Sequence, residues 1–490
     1  MLKTVLKTKK SKVIFFLAVA VMSFLITSVG ISKTGQTWDE IAYYNAGREY
    51  IKSAAELDFS QDAWRANKEH PGFAKYIYGL ASVGTYLNHE QNFNPGRIAS
   101  AVMLALAIAL AAYFAATNFS LIAGVATALV LSLSPSFMAY GRVLGMDSIT
   151  ALMFTLVALT FYNFAKSKGG WRDYIIPSLV FGIAINTRYN LILSLALLPV
   201  AVALFSSWNK NFFRWIALIT IPILACLVFY LTWPFLWHGP IQSLQESLGH
   251  WGNVREWYLS QPNVLPPHSY YLVYFLATTP VMVLVLFLIG VFKKPFDKNK
   301  VYLIAWLLIP FLQSFFGLKQ NGIRYLLPVW IPLAILSALG FEYLFLILKP
   351  KWARVVLLAL FCGYLVFNTV NYYPYYLDYY NEAVGGAKGV FEKRLLQLGW
   401  WGEGGEEAAN YINQNAGTGA RIYSGFIPTH TLGSLRSDLK MVKKDENPDY
   451  IVLSSENLWV SEFQIPQNYA IIHSVKAGGA PIVQIYIKNE

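Results

Sequence analysis

Long apolar runs separated by short polar breaks dominate the chain. An α-helix rises about 1.5 Å per residue, so a bilayer core of about 30 Å takes roughly 20 apolar residues. Eleven runs approach that length, over residues 13–31, 97–117, 120–139, 148–165, 174–187, 190–206, 215–235, 270–292, 301–317, 325–347 and 353–371. The fifth and sixth are short, and only the polar stretch Asn186, Thr187, Arg188, Tyr189 and Asn190 parts them. Counting them as two spans decides the side on which every later segment falls.

Two connections are long. Residues 32–96 predict a pair of short amphipathic helices at the membrane surface. One opens at Thr37-Trp38-Asp39-Glu40 and runs through Ile41, Tyr44, Arg48 and Ile51; the other follows Pro71, with Phe73, Ile77 and Leu80 at helical spacing. Residues 236–269 add a surface helix carrying Ile241, Leu244, Leu248 and Trp251 on one side. After residue 371, Tyr372, Tyr373, Tyr375, Tyr376, Tyr379 and Tyr380 have the density of an interfacial belt. A helix over 406–413 and strand-like runs over 421–426, 450–454 and 481–488 then predict a small α/β domain. The fold class is therefore an α-helical polytopic membrane protein of about 11 transmembrane helices. A membrane domain over 1–371 is followed by an extracytoplasmic α/β domain over 372–490.

Composition agrees: 56% of residues are apolar and 13% charged, about half the charged share of a soluble domain. The two cysteines, Cys226 and Cys362, both lie in apolar runs, which excludes a disulfide-stapled exported fold. A net charge of +12 suggests nucleic acid until the charges are placed. Clusters at 3–12, 166–172, 210–214, 293–300 and 349–354 hold 17 lysines and arginines, with only Asp173 and Asp297 as acids beside them. They fall on alternate connections, as the positive-inside rule requires for a cytoplasmic amino terminus and an external tail. The first span, with its lysine-rich start, is expected to stay as an anchor rather than be cleaved as a signal peptide. Loop one carries six bases against eight acids and the tail ten against thirteen, so nucleic acid is not an expected partner. Neither has an Asn-x-Ser/Thr sequon, a hint of prokaryotic origin in an inner membrane.

Few charges remain at the outer ends of the spans: Arg97, Arg142, Asp147, Arg188, Lys319 and Arg324, with Arg255 in a longer loop. An ionisable group near the membrane snorkels, pairs or works. Arg142, Arg188 and Arg324 fall at one outer level, where several cations suit an anionic ligand whose tail lies in the bilayer. Thr37 with Glu40 reads as a capping box, a structural role as fitting as a functional one, and a glutamine at 40 is expected to keep that contact. Asp39 then falls in the first helical turn, an ionised carboxylate suited to a general base. Asp147 reads as a cap of the fourth span. The tail has no phosphate loop, zinc spacing or nucleophile elbow.

Asp39-Glu40 in a long first outer loop, His70-Pro71-Gly72-Phe73-Ala74-Lys75, and Gly141-Arg142 followed by Asp147 resemble motifs of the GT-C glycosyltransferases. The branch they resemble holds the dolichyl-phosphate-mannose protein mannosyltransferases and the bacterial aminoarabinose transferases of lipid A. Residues 182–189, Gly249-His250, residues 267–271 and Arg324-Tyr325-Leu326-Leu327-Pro328 are similar to that branch. Residues 375–386 and Gly399-Trp400-Trp401-Gly402-Glu403-Gly404 are similar to its bacterial members with an exported tail. Gly72 departs from the pattern, since eukaryotic members usually have a second proline there, which leaves the acceptor type open.

The resemblance implies sugar transfer from a polyprenyl-phosphate-sugar lipid to an extracytoplasmic hydroxyl with inversion, the acceptor being a protein, a lipid or a glycan. It assigns the base to Asp39 and the donor phosphate to Arg142, with Lys75, Arg188 and Arg324. Glu40, His70, Asp147 and His250 take supporting places. No metal ligand set is implied, and a divalent metal is compatible without being required. A transporter, or a non-catalytic glycan-binding or assembly subunit, would explain the spans and outer cations too, but the transporter predicts internal repeats and charge at midmembrane depth.

Overall fold

The computed structural model describes residues 8–167, 170–206, 212–259, 269–312, 322–425, 429–455 and 464–489, the side chains of 212–214 and 251–259 excepted. Lys319 lies outside the described residues, as do the side chains of Trp251 and Arg255.

Among the described residues, five helices are long and apolar enough to cross a bilayer: Lys9–Ser28, Asn94–Asn118, Met146–Lys166, Arg324–Ile347 and Lys351–Asn371. Two bent pairs bring the number to seven if each is one span. Leu121–Ser132 turns by 69° into Pro135–Gly141, and Tyr270–Thr278 turns by 106° into Val281–Phe292. Both bends fall at a proline that removes a backbone donor, Pro135 or Pro280. The other four expected runs form shorter pieces. Residues 174–187 overlap Trp171–Ile185 and 215–235 overlap Phe212–Leu231, each run outlasting its helix, and 301–317 begin with Lys298–Leu308. Residues 190–206 start as the 3-10 turn Tyr189–Ala196 before the helix Leu197–Phe205. The outermost helices leave large apolar side chains uncovered, among them Leu17, Val21, Leu25, Leu360, Phe367 and Val370. Such faces belong against lipid, and the chain is a multi-pass membrane protein.

Loop one folds into the helices Glu40–Ala55 and Phe73–Ala81. Their crossing needs two glycines: a Cβ on Gly47 would lie 2.7 Å from the Gly79 nitrogen. The buried face of the first runs through Tyr43, Tyr44, Gly47 and Tyr50; it shares Tyr44 with the expected Ile41–Tyr44–Arg48–Ile51 line, whose Arg48 is exposed. The second starts at Phe73 after Gly72, so Pro71 precedes the helix rather than opening it. Its free amides reach the polar stretch between spans, Gly72 N–H donating to Asn186 Oδ1 (2.9 Å) and Phe73 N–H to the Asn186 carbonyl (2.9 Å). Asn186 Nδ2 in turn donates to Thr232. The helix Pro240–Leu259 buries Ser243 and Ser247, leaving Ile241 and Leu248 of its expected apolar side exposed.

The tail is a small α/β domain, with the helix Gly405–Asn415 and a five-stranded sheet. The strands are β1 Arg421–Ser424, β2 Lys440–Met441, β3 Tyr450–Ser454, β4 Tyr469–Ala477 and β5 Ala480–Lys488, in the order β2-β1-β3-β5-β4. β2, β1 and β3 run parallel, and β5 is antiparallel to both its neighbours. The tyrosines before it do not form a lipid-facing belt. Tyr372, Tyr375, Tyr376, Tyr379 and Tyr380 are buried, and protein groups take the hydroxyls of Tyr372, Tyr375 and Tyr380. Tyr372 donates to the Tyr380 carbonyl (3.0 Å) and Tyr375 to Glu407 (2.6 Å). The cluster is the joint between membrane domain and tail.

Candidate active site

Four charged side chains from four distant segments meet at one end of the bundle. Asp39 stands at the start of the helix Glu40–Ala55 without capping it through its side chain. Its carboxylate is thereby left for Arg324, whose Nη2 lies 2.8 Å from Asp39 Oδ2. Arg324 also turns Nε toward Asp147 Oδ2 at 3.4 Å, while Arg188 Nη1 donates to Asp147 Oδ1 at 2.5 Å. The result is an alternating row, Asp39–Arg324–Asp147–Arg188. The Asp39 side chain is 26% exposed, whereas those of Asp147, Arg188 and Arg324 are 4% or less. Of the four, Asp39 is the most exposed. Asp147 lies inside the first turn of Met146–Lys166 and makes no capping bond, because its carboxylate is engaged by the two arginines.

Aromatic rings hold the guanidinium groups. Arg188 sits 4.3 Å and Arg324 5.6 Å from the Tyr325 ring centroid, and Arg324 lies 4.6 Å from the Trp401 ring. Arg188 Nη2 and Trp401 Nε1 are buried with no hydrogen-bond partner. On the far side of Tyr325 is a small crevice lined by Phe154, Leu191, Leu193, Pro310 and Pro328, with Asn190. Two buried guanidinium groups thus share one aromatic ring and one buried carboxylate, with apolar side chains beyond them.

His70 lies at the edge of this cluster, its ring centroid 5.9 Å from that of Tyr43. Burial first, then the cations Arg188, Lys75 and Arg324, push its pKa well below the usual histidine range and keep the ring neutral. His250, on the exposed side of Pro240–Leu259, adds to that repulsion.

The other expected site residues stand apart from the row. The Lys75 ammonium donates to the carbonyls of Ala66 (3.0 Å), Asn67 (2.6 Å) and His70 (2.7 Å) and lies 4.9 Å from the Tyr50 ring. Burial draws its pKa down to about 7, against the pull of Glu69. It ties the 66–70 turn together. Arg142 donates to the carbonyls of Thr27 (2.8 Å), Val29 (2.6 Å) and Gly30 (2.7 Å), beside the Tyr376 ring. It satisfies carbonyls that the end of Lys9–Ser28 leaves orphaned. Glu40 is fully buried. It accepts from Thr37 N–H as in a capping box, but Thr37 Oγ1 has no partner and the box is only half formed. Its main partner is Arg97, in a bidentate pair with both distances 2.7 Å. Among the described residues no group of three or more His, Cys, Asp or Glu could hold a metal ion.

Sequence reasoning did not anticipate Tyr43, Tyr325 and Trp401 as members of the cluster. Tyr325 and Trp401 lay inside stretches noted for resemblance, whereas Tyr43 carried no signal beyond its helical spacing from Asp39.

Residues 69–237 match the family model of the dolichyl-phosphate-mannose-protein mannosyltransferases. No curated protein matches the sequence. Among solved structures, the chain is similar to ArnT from Cupriavidus metallidurans bound to undecaprenyl phosphate, at 15% identity and a TM-score of 0.53, over 98% of each chain. It is also similar to apo ArnT from the same organism, at 15% identity and a TM-score of 0.51, over 96% of this chain and 97% of that one. At such identity the likeness speaks for the fold. With the family match over 69–237 and that fold over almost its whole length, the chain is similar to the GT-C superfamily, in the branch of protein mannosyltransferases and ArnT.

Proposed function

We propose that the protein is an integral-membrane glycosyltransferase that moves a sugar from a polyprenyl-phosphate-sugar donor to a hydroxyl of an extracytoplasmic acceptor. The observation that carries this reading is the buried row Asp39–Arg324–Asp147–Arg188, with Arg188 Nη2 unpartnered. The donor's phosphodiester offers acceptor oxygens and no donors, which suits two guanidinium groups. The prenyl chain lies in the bilayer beside the site. That ArnT, a relative in fold, was solved with undecaprenyl phosphate supports the lipid class.

Asp39 is the general base. As the acceptor oxygen attacks the anomeric carbon, its proton passes to the Asp39 carboxylate. The carbon–oxygen bond to phosphate breaks on the opposite face, its electron pair leaving with the lipid phosphate, and the configuration inverts. Arg324 and Arg188 stabilise the charge that develops on phosphate. Donor phosphate also displaces Asp39 from Arg324 and frees the base. Lys75 and Arg142, which the resemblance assigned to phosphate, act instead by holding backbone around the site. Glu40 holds the helix start, and Asp147 aligns the arginines. The tail 372–490 and loop one lie on the outer side, a placement supported by the alternating lysine and arginine clusters.

The test is single-turnover release of polyprenyl phosphate from a panel of polyprenyl-phosphate sugars, with envelope extract as the acceptor source. Asp39→Asn keeps the size and removes the proton acceptor, so transfer should fall about 10²- to 10⁴-fold with donor binding intact. A parental rate in Asp39→Asn would refute the assignment.

A further inference from the structure

The tail reaches the catalytic row through one loop, Gly399 to Gly404, and we propose that this loop is a built-in part of the site, with Trp401 as a positioning residue for Arg324. The inference rests on the reading of Arg324 as a phosphate ligand. Three observations lead to it.

First, the Arg324 guanidinium lies 4.6 Å from the Trp401 ring centroid, and Trp400 stacks on Trp401 with centroids 5.0 Å apart at 16°. Arg324 thus lies on an aromatic surface that the tail supplies, nearer than the Tyr325 ring at 5.6 Å from its own segment. Second, the backbone of the same residue holds the base. The Trp401 carbonyl accepts from Trp38 N–H at 2.9 Å, one residue before Asp39, while His430 of the tail contacts the Trp38 carbonyl at 3.3 Å. Third, the loop is latched. Gly399, at φ +62°, donates its N–H to buried Asp378 Oδ1 at 2.7 Å, and Trp401 N–H donates to Glu403 Oε2 at 2.8 Å. Asp378 belongs to the tyrosine joint that fixes the tail to the last span.

One element therefore aligns both ends of the Asp39–Arg324 pair, and its position is set by Asp378. A cation lying on a ring within about 6 Å is held by the ring's electrostatics, more strongly where water is excluded. Removing the ring lets Arg324 turn toward its carboxylate partners, away from an incoming phosphate. The domain after residue 372 is then more than an acceptor-recognition module, because the donor site is incomplete without it.

The experiment measures binding of undecaprenyl phosphate to the detergent-solubilised full chain. Trp401→Leu should weaken binding about tenfold, and Trp401→Phe, which keeps a ring and the carbonyl, should recover most of that loss. In the double-mutant cycle, Trp401→Leu should add little to the larger loss of Arg324→Gln, because the indole acts through the guanidinium. Asp378→Ala should reproduce the Trp401→Leu defect, and Asp378→Asn, which can still accept from Gly399, should not. Should Trp401→Leu not fold, the Asp378 pair carries the same comparison, with thermal unfolding as its control. Parental binding by Trp401→Leu, an equal loss in Trp401→Phe, or fully additive losses with Arg324→Gln would overturn the inference and leave the phosphate reading intact. Parental binding by Arg324→Gln would overturn both.

Discussion

Glu40 stands beside the base, and the structure makes a sharp forecast for its replacement by glutamine. The sequence pattern alone expects a mild effect, since glutamine serves in a capping box. The geometry says otherwise. Glu40 Oε1 accepts from Arg97 Nε at 2.7 Å and from Leu144 N–H at 2.9 Å. Its Oε2 accepts from Arg97 Nη2 at 2.7 Å and from Thr37 N–H at 2.9 Å. Whichever oxygen becomes an amide nitrogen, two donors lose their acceptor and face another donor. The Arg97 charge is left without its counter-ion at 4% exposure.

Removing one partner of a buried ion pair costs about 3–5 kcal/mol, far more than a lost cap. Taking a few degrees per kcal/mol for a large domain, Glu40→Gln should lower the apparent melting temperature by roughly 10 °C. Intrinsic tryptophan fluorescence during a thermal ramp, in one detergent and at one scan rate, reads this directly, because 15 tryptophans report on the fold. The cause is isolated by a second variant. Glu40→Leu with Arg97→Leu removes both charges and should be less destabilised than the sum of the single variants. If Glu40→Gln melts within about 2 °C of the parent, the claim that a buried pair holds the base's helix in place is refuted.

Arg188→Lys should raise the donor KM about tenfold or more despite keeping the charge, because an ammonium cannot lie flat on Tyr325 and grip two oxygens; titration with donor lipid checks it. Burial raises the Asp378 carboxyl from 3.8 to about 7. Between those values the folded protein keeps a proton that the unfolded chain has released, so this group's contribution to stability falls as pH rises through the window. Asp378→Asn should flatten that part of a melting-temperature profile and melt above the parent at alkaline pH; an unchanged profile would reject the raised value. Reporter fusions at Lys168, Lys294 and the carboxyl terminus should read inside, inside and outside, and an inward tail would overturn the placement of the site.

The spans were legible where length alone decides, as in 97–117 or 353–371. They blurred where backbone geometry intervenes. Residues 120–139 and 270–292 each read as one run, yet Pro135 and Pro280 break them, and the run from 190 begins with a 3-10 turn. The missed strand β4 had a signal in Gly478-Gly479, both at positive φ, the chemistry of a tight hairpin turn into β5. The tyrosine joint could not have been told from a lipid belt by counting rings. What buries Tyr375 is a hydroxyl partner 32 residues away, Glu407, and only the folded chain reveals that pairing.

The candidate site illustrates the same limit at the level of single charges. Scarcity of ionisable groups at the outer ends of the spans selected Arg142, Asp147, Arg188 and Arg324 together, and scarcity is all that a sequence can show. Their partners separate them. Arg142 and Lys75 are surrounded by backbone carbonyls, which have no alternative donor in a dry interior; an anion that drew these cations away would leave several acceptors unsatisfied. Arg188 and Arg324 are paired instead with carboxylates, and the Asp39 carboxylate is open enough to be solvated once released. On the proposed reading, a donor phosphate takes the place of Asp39 on Arg324 with one anion exchanged for another, and the exchange would leave Asp39 beside the acceptor with its lone pairs free. Arrival of the donor would then itself make the proposed base available.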